Sequence, residues 1–248
     1  MILKIFILIF LTLSFSACTS KKSDSFVHSI FQTNGASAVR LHTDSLKKLL
    51  VEYKIILDKQ NPNNYSKRYS NEIKNEIKNA TTHVKIKFKN KKNPNYKDYL
   101  NKAFSKEAVK NRNDYLILGI YKLLYWAYTI DRSHTITTMQ YDIKKLQEAN
   151  RVMQIVQDRV QHSKDKKGNY LFITWQRAWQ TELLKDINDG KAIDLYNYKR
   201  KQLLLEPHME FKVVSSNMIS TVQSTLVYLG AEATNLGTQA IKSVFIFL

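Results

Sequence analysis

Cysteine is almost missing from this 248-residue sequence, which has a single thiol at Cys18. One thiol forms no internal disulfide and no two-cysteine metal or redox site. Proline and glycine are scarce as well, at three and six residues, and such thin turn punctuation favours long helices with few breaks. Acids are outnumbered: 21 Asp and Glu face 39 Lys and Arg, for a formal charge of +18. The apolar run from Ile5 to Leu11 falls well short of the roughly 20 residues a transmembrane helix needs. The chain has no Gly-x-x-x-x-Gly-Lys phosphate loop, no Gly-x-Ser-x-Gly elbow and no His-x-x-x-His pair. P-loop, nucleophile-elbow and helix-face zinc chemistry therefore have no support in its motifs.

What is present begins with an apolar content of 44% and 11% aromatics, the composition of a chain that folds. At the N-terminus, Lys4 precedes the apolar run, and Ser14-Phe15-Ser16-Ala17 leads into Cys18. A charged start, a short apolar core and a small-residue exit form the pattern of a secretory signal. With the cysteine at the exit, Ser16-Ala17-Cys18 resembles the lipobox of bacterial lipoproteins, although Phe15 stands where those families prefer leucine. The resemblance covers only the leader. It implies removal of residues 1–17, lipidation of Cys18 as the mature N-terminus and residence in the cell envelope. Thr19, a non-acidic residue after the lipidated position, is similar to the outer-membrane class. Residues 18–25 then read as a polar tether, and 26–248 as a single domain large enough for a sizeable core.

Helical periodicity dominates that domain. Leu46, Leu49, Leu50, Tyr53, Ile56 and Leu57 predict a helix over about 44–59, capped near Thr43 or Ser45, while Asn34-Gly35 upstream reads as a turn. Tyr65, Tyr69, Ile73 and Ile77 mark a narrow-striped surface helix over about 65–80. From 83 to 89, Val84, Ile86 and Phe88 alternate with Lys85, Lys87 and Lys89, the period of a half-buried strand. Its candidate partners are 209–213, 170–174 and 244–248. A short helix is expected over 96–105. Residues 114–131 are apolar around nearly the whole circumference, the mark of a buried central helix. Residues 137–162 form a long amphipathic helix. Phe172, Trp175, Trp179, Leu183 and Ile187 form another stripe ending at Asp189-Gly190, and a short helix over 193–204 is stopped by Pro207. Beyond Val213 only Glu232 and Lys242 are charged, so this segment reads as a buried helical hairpin, with Ser216, Ser220 and Ser224 allowing close approach, or as a surface docked on a partner or on lipid. The expected fold is mainly α, a helical bundle around the helix at about 114–131, with room for one small β-sheet including 83–89.

The strongest functional feature is a basic block. Residues 65–112 carry fourteen Lys or Arg against four acids. Lys85, Lys87, Lys89, Lys91, Lys92 and Lys97 interleave with Ile86, Phe88 and Tyr96, a pattern suited to polyanions through charge and an apolar foothold. In an envelope protein, anionic lipid, lipopolysaccharide and acidic wall polymer outrank nucleic acid. A solvated face with an edge-protecting strand, or the codon bias of an AT-rich genome, accounts for the same lysines without a partner. The six histidines are scattered. Glu206, His208 and Glu210 would share a side only in extended backbone, and Asp186-Ile187-Asn188-Asp189-Gly190 fits a helix end better than a calcium loop. The reading therefore names no metal, cofactor or catalytic residue. It describes a non-catalytic envelope lipoprotein: an anchored adaptor or structural component with an envelope protein partner, its basic surface on anionic lipid or wall polymer. Three alternatives stay open: a tetratricopeptide-like helical scaffold, suggested by Leu118-Gly119-Ile120-Tyr121; a cell-wall hydrolase using two of the acids; and a surface-exposed host-binding lipoprotein.

Overall fold

The computed structural model describes residues 22–86, 88, 93–132, 141–173, 185–191 and 207–231. The leader with Cys18, the lysines at 87, 89, 91 and 92, the start of the 137–162 helix, most of the 172–187 stripe, the 193–204 helix and the end of the chain after 231 lie outside these residues. The fold is mainly helical; the described residues include α1 (Lys22–Gln60), α2 (Lys67–Asn79), α3 (Tyr96–Ala103), α4 (Arg112–Tyr128), α5 (Ile143–His162) and α6 (Pro207–Tyr228), and a helical turn at 185–188. Short 3-10 turns occupy Pro62–Asn64 and Ile130–Arg132.

The expected central helix is α4. It contacts α1, α2, α3 and α5, while α6 covers α1 and α5. Leu116, Ile117, Leu118, Ile120, Leu123 and Ala127 of α4 are fully enclosed. The helix is not buried all round, however: Lys122 and Tyr125 reach the surface in part, and Trp126 is 39% exposed. These positions share one edge of the helix at i, i+3 and i+4 spacing. At Gly119, α3 presses so close that a Cβ would lie 2.7 Å from Leu100 Cδ2 and 3.1 Å from the Leu100 backbone nitrogen. The glycine is there for packing between two helices. The helices range from 8 residues in α3 to 39 in α1.

Three local expectations change. Helix α1 extends far upstream of residue 44, through Asn34-Gly35. Thr43 does not cap it; its hydroxyl donates to the Val39 carbonyl one turn back at 2.8 Å, and packing along α6 carries the helix where local signals would end it. Pro207 opens α6, where its fixed φ and missing N–H cost nothing. The buried side of α6 runs through Val214, Ser215, Met218, Val222, Thr225 and Leu226, leaving Ser216 and Ser220 exposed, so close helix approach does not depend on those two serines.

No sheet forms among the described residues. Residues 209–213 belong to α6, and Tyr170 makes only an isolated bridge with Lys164. The period of two at 84–88 still has its packing consequence. Ile86 is buried, Val84 and Phe88 are packed against the core, and Lys85 points outward. The apolar side chains lie on helices instead of on another strand: the Phe88 ring meets Tyr99 and Tyr115 edge-on at 5.1 and 5.5 Å.

Candidate functional site

The basic segment is anchored at the end of α2. Ala80 closes that helix in a left-handed conformation at φ 55°, and Thr81 N–H donates back to the Glu76 carbonyl at 3.1 Å. Tyr121 of α4 donates its hydroxyl to the carbonyls of Glu76 and Thr81 at 3.2 and 2.8 Å. The Glu76 carboxylate accepts from Val84 N–H, while its other oxygen is buried without a partner. Burial pushes this carboxyl above the usual range, against the opposing pull of the Val84 amide, Lys122 and His83. Lys122 lies with its ammonium 5.5 Å above the Tyr99 ring, and its pKa is lowered, chiefly by burial.

The same surface continues onto α3 and α5. Asn95 and Asp98 form a reciprocal capping box that starts α3 and sets Tyr96 and Lys97 at its first turn. The Tyr96 ring lies 5.6 Å from Trp126, and Lys145 of α5 stands 5.5 Å over the same indole. Lys97 is 5.9 Å from the Tyr96 ring centre. The Tyr96 hydroxyl donates to Glu148 at 3.3 Å, and Arg151 holds that carboxylate through two bonds of 2.8 and 2.9 Å. Burial alone would raise the Glu148 carboxyl, but Arg151 outweighs it and holds the group below its ordinary value. Burial, with Glu148 beside it, pushes the Tyr96 phenol up to about 12. An exposed indole thus sits among aromatic and cationic groups drawn from three helices.

Of the lysines singled out in the sequence, Lys85 and Lys97 are exposed on this face. Lys122, Trp126 and Lys145 join them and were not legible as members. The sequence pattern placed Trp126 in the core, and Lys145 comes from a helix far along the chain. The spacing of Lys122 and Trp126 on one edge of α4 was the available signal.

A second polar cluster is enclosed. Lys54 of α1 is fully buried and bonds Asp58 at 2.6 Å and Asp114 of α4 at 2.7 Å. Ser70 and Asn113 donate to Asp58 at 2.7 and 3.0 Å, and Ser66 N–H donates to Asp114 at 2.9 Å. Burial pushes the Asp114 carboxyl up, with Lys54 and the Ser66 amide pulling the other way. This is a carboxylate pair with one member raised, as a hydrolase would need, but Lys54 lies between the two acids and bonds both.

The looser sequence motifs resolve locally. Asp186 and Asp189 both lie near Lys191 Nζ, at 2.8 and 3.8 Å. Gly190, at φ 68°, ends the helix with the paired bonds of a Schellman turn. His208 and Glu210 lie in helical backbone, so the extended arrangement that would align them does not occur. Among the described residues no three His, Cys, Asp or Glu side chains are grouped to hold a metal, and no helix is long and apolar enough to cross a membrane.

No known protein family matches this sequence, and no curated protein or solved structure is significantly similar to it.

Proposed function

We propose that the chain is a non-catalytic component of a bacterial cell envelope, anchored by lipid on Cys18 in the outer membrane, that lays the Lys85–Lys97–Lys122–Trp126–Lys145 face on an anionic surface of lipid or wall polymer. In this role it serves as an adaptor or structural element and holds an envelope protein partner at that surface. The observation that carries the reading is Trp126. An indole 39% exposed, with Lys145 over it and Tyr96 beside it, itself flanked by Lys97, has an apolar body for the headgroup boundary and cations for its phosphates. The lipobox-like leader supports the same location, since lipid on Cys18 would tether the chain where a basic face meets anionic headgroups.

The test is co-sedimentation of the full chain with vesicles of phosphatidylglycerol and phosphatidylcholine, beside a variant carrying Lys85→Gln, Lys97→Gln, Lys145→Gln and Trp126→Ala. Wild type is expected to sediment with the anionic vesicles and the variant to lose most of that binding, with its helical circular dichroism retained. Equal sedimentation of the two proteins would remove the face from the function.

A further inference from the structure

At the end of α4 remote from Trp126, an open cleft of about 580 Å3 lies between the 104–111 loop and the turn at 164–171. That volume is in the range of small-molecule sites. Arg112, the first residue of α4, is 5% exposed and forms part of the lining. Its guanidinium donates to the backbone carbonyls of Ala103, Ser105 and Glu107 at 2.5, 2.9 and 2.9 Å. Three of five N–H groups are thereby given to neutral acceptors. Among the described residues no carboxylate comes within ion-pair distance, and Asp165 acts on it only through space. A buried cation without a counter-ion is costly, and the open side of this one is the cleft.

The other charges in the cleft point to the missing partner. Lys106, Lys166 and Lys167 line it together with the acids Glu107 and Asp165. Both acids are already engaged. Glu107 pairs with Lys166 across the two loops. Asp165 accepts from Lys167 N–H, Asn169 N–H and the Asn169 side chain at 2.8, 2.8 and 3.2 Å. These bonds, first of all the one from the Asn169 amide, hold its carboxyl below the ordinary range. Four cations against two acids leave the lining two charges in excess. A phosphate monoester carries nearly two negative charges at neutral pH, and a guanidinium backed by ammonium groups is the chemistry that binds it. The walls are preformed: Gly168 at φ 85° and the Lys164–Tyr170 bridge fix the turn, and Phe104 of the loop packs edge-on against Phe172 at 5.6 Å.

We propose that this cleft binds a phosphate group, with Arg112 at its floor and Lys106 and Lys167 at its rim. The site is separate from the Trp126 face and does not depend on the envelope reading. The phosphate comes from a soluble organic phosphate or from a lipid headgroup.

The experiment is a calorimetric titration of the full chain in neutral detergent with inorganic phosphate and with glycerol 3-phosphate. Wild type is expected to bind both saturably at millimolar concentration or below. Lys106→Gln with Lys167→Gln, which leaves the Arg112 clamp on its carbonyls untouched, is expected to weaken binding roughly tenfold. Lys85→Gln with Lys97→Gln, on the other face, should leave it unchanged. Displacement of glycerol 3-phosphate by phosphatidic acid, a lipid phosphate monoester, in micelles of the same detergent would identify a headgroup as the source, and retention in its presence a soluble phosphate. Absence of saturable binding by wild type, or a Lys106/Lys167 variant that binds like wild type, would overturn the proposal and leave Arg112 as a clamp on the loop.

Discussion

Lys54 is held by two carboxylates in a place no solvent reaches. Its ammonium also lies 5.2 Å over the Tyr65 ring. Removing one member of such a group leaves the others charged and unpaired, which costs more than the intact pair contributes. Lys54→Met is therefore expected to lower stability by about 3–5 kcal/mol, read as a shift in the urea midpoint. Adding Asp58→Asn and Asp114→Asn to it should recover part of the loss. A second residue-scale prediction concerns Gly119. Because the added methyl would meet the Leu100 backbone nitrogen as well as its side chain, rotamer change alone cannot make room. Gly119→Ala is expected to cost about 1–3 kcal/mol despite its better helix propensity, measured in the same way.

At the scale of the element, the segment after α2 is held by few groups, and one of them titrates. Glu76 links Val84 to the helix end, and its carboxyl is raised by burial. The native state thus holds this proton more tightly than the unfolded chain, whose value is 4.5. The contribution of Glu76 to stability is greatest below that value, falls as pH rises through the folded value and is then constant. Other carboxyls, such as Glu148, are lowered and act in the opposite sense. The prediction is therefore a difference: the stability of wild type minus that of Glu76→Gln should decrease from pH 4.5 upward and then level, in urea titrations at matched pH. A difference independent of pH would show that the carboxyl does not titrate with folding.

The same element shows what the sequence could and could not disclose. Alternation over 84–88 identified Val84, Ile86 and Phe88 as inward and Lys85 as outward, because period two reports which side chains are covered, whatever covers them. It did not identify the cover, which is Tyr99 and Tyr115 on two helices. The central helix was legible from its composition alone, since only burial tolerates so much apolar surface. Where it emerges at Lys122 and Trp126 was not, because that depends on how far α3 and α5 extend over it. Lys54 and Asp114 are 60 residues apart, and nothing local marks either as buried. Thr225 illustrates the same limit: its hydroxyl meets His42 of α1 and Tyr128 of α4, each at 2.9 Å, joining three helices that only the tertiary fold brings together.

For the molecule as a whole, α4 sets the distance between the two candidate surfaces. Arg112 and Trp126 are fourteen residues apart on one helix, which places their backbones roughly 21 Å apart along its axis. A chain anchored at its N-terminus and resting on an anionic layer through Trp126 can therefore hold the Arg112 cleft away from that layer, open to a soluble ligand. The two surfaces should respond differently to salt. Exposed lysines act through a field screened over about 8 Å at physiological ionic strength and about 3 Å at 1 M, so vesicle association through Lys85, Lys97 and Lys145 should fall steeply as sodium chloride is raised. Arg112 is buried and already desolvated, and its interaction is screened much less. Glycerol 3-phosphate binding should consequently survive salt that releases the protein from phosphatidylglycerol vesicles, a comparison made by running both titrations in one salt series. Parallel loss of the two activities would mean that a single exposed field governs both, and that the buried guanidinium contributes nothing beyond its hold on the loop.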